Sequence, residues 1–463
     1  MAAVQRTITP IDDTLLVERP YASASEMARA VEAAGRARKA WKLVPIAERQ
    51  KLLSRAVDAF VAKKEIIAEE ITRQMGRPLG QSPGEIRGFE ERSRYMIEIA
   101  PEALADIDPG RKDGFNRFIR REPLGTVFVV APWNYPYLTS GNAIVPALMA
   151  GNAVILKHSA QTPLCADRYA EAFRAAGLPD GLFQTLVLTH DDTSQMIGSP
   201  GVDYVAFTGS VAGGHAVMRA AADRFIGAGL ELGGNDPAYV RADANLAHAV
   251  ENLVDGAFFN SGQSCCGIQR VFVDAKIYDK FLEGFVDLTN KYRLGDPLQS
   301  DTNLGPVVRS RAADEIRKQV GAAVRAGAKA VIDAKHFPAD RAGTAYMAPQ
   351  VLVGADRNNP IMQDECFGPV VAIARVGSDE EAIMCMNDNP FGLTAAIWTS
   401  DEEAAIRIGD RVDTGTWFMN RCDYLDPALA WVGVKDSGRG CTLSRVGYES
   451  LTRPKSFHLR TRI

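Results

Sequence analysis

From Gly125 onward the chain alternates between short apolar runs of strand length and segments long enough for several helical turns. The runs GTVFVVAP, NAVILK, FQTLVL and YVAFTG are separated by SGNAIVPALMAG and PLCADRYAEAFRAAG. Strands that alternate with helices pair in parallel, because a right-handed crossover through a helix brings the next strand back in the same direction. This half is therefore predicted to be a parallel α/β sheet. After GLELGG a second series begins, with QRVFV, KAVIDA, PVVAIARV, LTAAIW and TGTWFMN as strands, and predicts a second α/β lobe. The first ~100 residues read as helical, with Ser25 as N-cap and Leu52, Leu53, Val57, Phe60 and Val61 at helical spacing. No chemistry is visible in them. The closing stretch ESLTRPKSFHLRTRI holds a strand after Pro454 that is too polar for a core, so an edge or intersubunit element is expected.

At 463 residues the chain exceeds what one core needs, and about 150 residues per domain suggests roughly three units. A formal charge of -4 leaves no basic excess for nucleic acid or anionic lipid. The start MAAVQRTITPIDDTLLVERP lacks the basic and apolar regions of a secretion signal, and AIVPALMAGNAVIL is too short and broken to span a bilayer. A cytoplasmic enzyme acting on a small molecule is the expectation. Seven cysteines without a CxxC pair read as thiols in a reducing compartment, not as a disulfide framework or zinc site, and no metal is expected.

Four segments carry residues suited to chemistry. In FFNSGQSCCG, residues 258–267, glycines bracket two adjacent cysteines, either of which is a possible nucleophile or simply buried packing. In LELGGN, residues 230–235, Glu231 lies between apolar neighbours, where desolvation would raise its pKa, or it is a surface glutamate at a strand end. In APWNYP, residues 131–136, Trp133 and Asn134 follow a strand of the first sheet. Ligands of open α/β sheets bind there, and an asparagine amide can donate to an oxyanion or cap a turn. In FTGSVAGG, residues 207–214, Gly209, Ser210 and Gly214 would let helix N-terminal amides meet a pyrophosphate, although an ordinary strand-to-helix turn has the same look.

Together these residues resemble the aldehyde dehydrogenase superfamily, from about Arg120 to the C-terminus. The family pattern places the glutamate of LELGG 34 positions before the nucleophile, which selects Cys265 over Cys266. Lys157 with Gln161-Thr162-Pro163, the ECFGPV run at 365–370 and Lys435-Asp436-Ser437-Gly438 match as well. The resemblance implies that Cys265 attacks an aldehyde as thiolate, that its own amide and the Asn134 side chain hold the oxyanion, and that hydride passes to NAD(P). Glu231 is implied as base for the thiol, for the water that hydrolyses the thioester, or for both. Trp133, Lys157, Ser210, Leu232 and Glu365 would contact the cofactor, with Phe367 near the nicotinamide. Relatives that pass the acyl group to coenzyme A usually lack this glutamate, so the acid is the expected product. A catalytically dead structural member would have lost Cys265 or Glu231, and both are present.

The resemblance also implies a Rossmann-like NAD(P)-binding domain over 1–104 and 124–230 and an α/β catalytic domain over 231–436. A small β oligomerisation extension over 105–123 and 448–463 would join a homodimer or homotetramer. Lys157-His158-Ser159-Ala160 departs from the family's Lys-Pro-Ser-Glu: without a carboxylate at Ala160 a 2'-phosphate meets less repulsion, so use of both NAD and NADP is expected, NAD being favoured by the family's habit. His158 would approach a phosphate or simply sit in the turn. Tunnel residues would be Tyr135, Thr139, Asn142, Phe259, Arg421 and Trp431. Tyr135 and Trp431 match two walls of the aromatic box of betaine-aldehyde and aminoaldehyde enzymes, whereas Arg421 would suit the carboxylate of a semialdehyde unless Asp423 neutralises it. A small polar aldehyde or semialdehyde is the expected substrate. Trp431-Val432-Gly433-Val434 and Arg439-Gly440-Cys441 depart from the family's Phe-Gly-Gly and Gly-Arg-Glu, so details of those loops do not transfer.

Overall fold

The computed structural model describes residues 3–422 and 424–463, so Asp423 lies outside the described residues. An antiparallel hairpin of β1 (Val4–Ile8) and β2 (Leu15–Pro20) precedes four helices, α1 (Ala24–Trp41), α2 (Ile46–Val61), α3 (Lys64–Met75) and α4 (Pro83–Ala103). Helix α1 is capped by Ser23 rather than Ser25. The Ser23 hydroxyl accepts from the Glu26 amide while the Glu26 carboxylate accepts from the Ser23 amide, a reciprocal pair that needs the S-x-x-E spacing.

After β3 (Phe115–Pro123), the strands β4 (Thr126–Val130), β5 (Ala153–Lys157), β6 (Phe183–Thr185), β7 (Tyr204–Thr208) and β8 (Gly227–Glu231) form a parallel sheet. Helices α5 (Pro136–Ala150), α6 (Leu164–Ala175), α7 (His190–Gly198) and α8 (Val211–Ala221) make the crossovers. The spatial order is β6-β5-β4-β7-β8, so the chain runs outward from β4 to one edge and returns to its other side. Beyond the carboxyl ends of β4 and β7 this reversal opens the crevice in which such sheets bind ligands. Strand β4, TVFVV, is buried throughout, as a central strand covered on both faces must be. Strand β8, GAGLE, carries two glycines and little apolar side chain, and its pairing with β7 sustains it.

The second sheet has seven strands and is built around β9 (Asp236–Val240) and β10 (Ile268–Asp274), linked by α9 (Leu246–Phe258). Helices α10 (Tyr278–Thr289) and α11 (Ser310–Arg325) follow, and the strands Gln350–Val353, Val370–Val376, Thr394–Trp398 and Thr416–Met419 complete the parallel part. The run KAVIDA contributes only Lys329–Ala330, an exposed antiparallel edge.

The closing strand Thr452–Arg460 starts before Pro454 and pairs antiparallel with β3 along its length, with Phe118 stacked on Phe457 at 4.5 Å. The fold is thus the expected α/β arrangement: a Rossmann-like sheet, a second α/β lobe and a small β extension. Among the described residues no helix is long and apolar enough to cross a membrane.

Candidate active site

The thiol loop begins where α9 stops. Residues Phe259–Gly262 tighten into a turn in which Asn260 and Ser261 have φ of +54° and +55° and Gly262 has +70°. Left-handed backbone costs a non-glycine residue roughly 1–2 kcal/mol, so the surroundings must hold it. Asn260 Nδ2 donates to the carbonyls of Asn134 and Gln263, each at 3.2 Å, and Asn260 Oδ1 accepts from Arg77 Nε at 3.1 Å. Ser261 Oγ donates to the Gly305 carbonyl at 2.8 Å. At Gly262 a Cβ would stand 2.0 Å from the Gly368 carbonyl oxygen, which excludes any side chain.

Arg77 ties this turn to the end of β4. Its Nη1 donates to Glu85 Oε2 at 2.7 Å and its Nη2 to the Asn134 carbonyl, while Glu85 Oε1 accepts from the amides of Tyr137 and Leu138 at 2.8 and 2.9 Å. Both side chains of this ion pair are 1% exposed or less. Asn134 in turn donates from Nδ2 to the Gln263 carbonyl at 3.2 Å, and the second N–H of that amide has a lone pair still to find.

The turn presents Cys265 to a cavity of about 330 Å³ that also takes in Glu231. Cys265 keeps partial exposure, whereas Cys266 is 4% exposed, with Sγ 3.6 Å from Ser264 Oγ. Glu231 ends β8 and is held by Thr442 Oγ1, which donates to Oε1 at 2.6 Å, and by Thr208 Oγ1, which donates to Oε2 at 3.4 Å. Burial pushes its carboxyl above the usual range, and Thr442, Arg92 and Thr208 oppose that rise. A thiol and a partly desolvated carboxylate facing one small cavity are the pieces of nucleophilic and general-base chemistry.

The model of the aldehyde dehydrogenase family matches residues 2–457. The chain belongs to the aldehyde dehydrogenase family. It is 33% identical over 441 residues, 95% of each chain, to the succinate semialdehyde dehydrogenase (NAD(P)+) of Escherichia coli (strain K12). It is also 33% identical over 458 residues to the 3,6-anhydro-alpha-L-galactose dehydrogenase of Streptomyces coelicolor, covering 98% of this chain and 92% of that one. The crystal structure of succinic semialdehyde dehydrogenase from Streptococcus pyogenes in complex with NADP+ superposes with a TM-score of 0.94 at 28% identity, over 98% of this chain and 100% of that chain. The protein is therefore an oxidoreductase that acts on an aldehyde with NAD or NADP.

A second cleft of this aldehyde dehydrogenase suits a dinucleotide. Of about 640 Å³, it is lined by Trp133, Ala312, Gln319, Glu365 and Phe367 among others, and Trp133 meets Phe367 edge-on at 5.6 Å. Glu365 Oε1 accepts from the Gly234 amide at 3.0 Å, no other hydrogen bond to this carboxylate exists among the described residues, and burial lifts its pKa to about 7. At Gly233 a Cβ would come within 2.4 Å of Glu365 Oε2, so glycine makes room for the carboxylate. Lys157, at the carboxyl end of β5, has no hydrogen-bond or ion-pair partner among the described residues, and burial lowers its pKa. A half-buried carboxylate with a single donor and a half-buried ammonium without an acceptor are what the hydroxyls of a bound dinucleotide would satisfy.

Ser210 caps α8 by accepting from the Gly213 amide at 3.2 Å, with Gly209 before it and Gly214 packed where a Cβ would be 2.9 Å from Leu232. Ala160 is exposed, and its carbonyl accepts from Thr7 Oγ1 at 2.7 Å, so the N-terminal hairpin buttresses this corner. His158 is turned inward instead of toward a phosphate: its ring is bonded to the Pro136 carbonyl, the Ser159 amide and Thr162, and burial lowers its pKa to about 4, which keeps it neutral.

Of the six tunnel residues expected, Tyr135, Thr139, Asn142, Phe259 and Trp431 line the cavity. Arg421 does not. It is exposed, with its guanidinium 4.1 Å from the ring centre of Tyr424, a residue that does line the cavity. The opposite wall is one that sequence reading left blank: Gly84, Gly88 and Arg92 lie four apart on α4 and so share one face of it. The buried pair of Arg77 and Glu85 also comes from that segment. The signal available was the spacing of two glycines and an arginine, which is invisible without knowing which helix face meets the site.

Proposed function

We propose that this enzyme oxidises a small polar aldehyde, of the semialdehyde class, to its carboxylic acid through a thioester on Cys265. The observation that carries the reading is that Cys265 and Glu231, from separate lobes, face one cavity. Cys265 Sγ, as thiolate, adds to the aldehyde carbon, and the resulting alkoxide is stabilised by the Cys265 amide and the second N–H of Asn134. NAD(P)+, when bound, accepts the hydride that converts this adduct to the thioester. Trp133, Lys157, Gly209, Ser210, Gly214, Leu232, Glu365 and Phe367 are proposed to hold it, with Glu365 accepting from ribose hydroxyls and Lys157 donating to others.

Glu231 then takes a proton from the water that attacks the thioester, and its raised pKa makes it a stronger base than an exposed carboxylate. The acid leaves, and the Cys265 thiolate is restored. The cationic-substrate reading is disfavoured by the wall itself: the Arg77 guanidinium lies 4.6 Å from the ring centre of Tyr135, so that ring already has a cation on its face.

The boundaries 1–104 with 124–230, 231–436, and 105–123 with 448–463 are proposed as the cofactor, catalytic and subunit-joining parts. A two-stranded ribbon is marginal on its own in water, and in one chain Thr452–Arg460 is largely exposed while β3 is half-buried, which supports a homodimer or homotetramer built on the ribbon. A stable monomer in sedimentation at micromolar concentration contradicts that assembly. A cytoplasmic location is proposed with it and is checked by cell fractionation.

The test of the reaction is a matrix of initial rates, NAD and NADP each against aliphatic, aromatic, cationic and carboxylate-bearing aldehydes. Carboxylate-bearing aldehydes should be used best, with both cofactors active. Preference for a quaternary-ammonium aldehyde contradicts the substrate reading.

A further inference from the structure

The cavity wall carries more charge than the chemistry uses. Among the described residues three carboxylates line it, and each has its own donors: Glu85 is taken by Arg77 and two backbone amides, Glu91 accepts from the Tyr424 hydroxyl at 2.9 Å, and Glu231 is held by Thr442 and Thr208. Among the arginines the balance differs. Arg77 has three acceptors, one for each of its nitrogens. Arg87 stands exposed at the rim. Arg92 is the exception: its half-buried side chain lines the cavity, yet its guanidinium makes no hydrogen bond or ion pair among the described residues.

A half-buried guanidinium is rarely left without hydrogen-bond acceptors, so the five N–H groups of Arg92 in the cavity wall mark where an anionic acceptor is to sit. Burial loosens Arg92's hold on its proton, against the pull of Glu85, Cys266, Glu231 and Glu91, which is the expected condition of a guanidinium short of an acceptor. A second group in the wall points the same way. Asn142 is 3% exposed, and its Oδ1 is buried without a partner. Turning that amide over exchanges oxygen for nitrogen and offers two further donors to an anion. Gly84 and Gly88, two turns and one turn before Arg92 on the same helix face, keep the wall free of side chains that would fill the space.

We infer that Arg92, assisted by Asn142, is the specificity-determining residue of this aldehyde dehydrogenase, binding the carboxylate at the far end of a short aldehyde whose carbonyl lies at Cys265. The inference rests on the reading of Cys265 and this cavity as the site of reaction. It replaces Arg421, which is outside the wall. A planar guanidinium matches a carboxylate bidentately, which fixes the orientation of the chain, and a cavity near the small end of the roughly 300–1,000 Å³ range of ligand pockets suits a short substrate.

The test compares succinic semialdehyde with butanal, which has the same carbon chain without the carboxylate. In Arg92→Met the ratio of their kcat/KM values should fall about 100-fold, mainly through KM for succinic semialdehyde, since a charge-assisted pair is lost. Arg92→Lys should recover part of that ratio, and Asn142→Ala should lower it about tenfold. A ratio in Arg92→Met within threefold of the starting enzyme overturns the inference, whether both rates are kept or both fall together as they would for a residue acting only through Glu231. A calorimetric titration of the unmodified enzyme with succinate and with succinamide keeps the matter decidable if Arg92→Met does not fold. Tighter binding of succinate supports the site, and equal binding overturns it. Binding of succinate by an enzyme that oxidises no aldehyde would instead sink the proposed reaction and leave the anion site standing.

Discussion

Replacing Arg77 by methionine keeps most of the volume and removes three hydrogen bonds at once, to Glu85, Asn260 and the Asn134 carbonyl. Breaking one end of a buried ion pair typically costs about 3–5 kcal/mol because the remaining charge is stranded. Here Glu85 keeps two amide donors and the Asn134 carbonyl keeps Asn260 Nδ2, so the lower end, about 3 kcal/mol, is expected. Asn260 Oδ1 has no such reserve. The left-handed turn before Cys265 loses one of its holds, and kcat should fall together with stability, by about tenfold or more. Equilibrium urea unfolding followed by tryptophan fluorescence, with steady-state rates on the same preparations, measures both. Arg77→Lys should regain part of the stability by pairing with Glu85 but little of the rate, because an ammonium cannot serve three acceptors fixed in a plane. If Arg77→Met keeps stability within about 1 kcal/mol and an unchanged kcat, the network does not position the thiol.

Ala160→Glu should lower kcat/KM for NADP relative to NAD by about tenfold to a hundredfold, and equal effects on both cofactors in initial-rate assays defeat the ribose-corner argument. Gly262→Ala should abolish turnover, since its Cβ would meet the Gly368 carbonyl at 2.0 Å and its φ is +70°; activity within tenfold of the parent in a folded variant contradicts the geometry. Glu365, with a pKa raised to about 7, is a charged acceptor through both oxygens only above that pH. The Kd for NAD should therefore rise as pH falls from about 8 to about 6, by up to about tenfold per unit, and Glu365→Gln should flatten the profile when titrated by fluorescence.

What the sequence disclosed and what it hid follow a physical division. The strand runs from Gly125 onward were legible because a doubly covered parallel sheet needs continuous apolar segments, as in TVFVV and AVILK. Strand β8 was not, because GAGLE has almost no apolar side chain and exists by virtue of its pairing partner. Cys265, Glu231 and Asn134 stood out through local motifs. Arg77 and Arg92 did not, since their meaning lies in contacts with residues far along the chain and in which face of α4 meets the cavity. Arg421 misled for the converse reason: a plausible charge near the expected loop turned out to stack on Tyr424 in solvent.

The central claim is that Glu231 serves the hydrolysis of a thioester on Cys265, and Glu231→Gln tests it by keeping the shape while removing the base. Rapid mixing of that variant with aldehyde and NAD(P)+ should give at most one NAD(P)H per active site, followed by very slow turnover. Intact-mass and peptide analysis should then find the acyl group on Cys265. Cys265→Ser should abolish both burst and adduct, and Cys266→Ser should retain them. A slow first turnover in Glu231→Gln with no adduct would show that the carboxylate acts on the thiol instead, and an adduct that forms at normal speed without Cys265 contradicts the account.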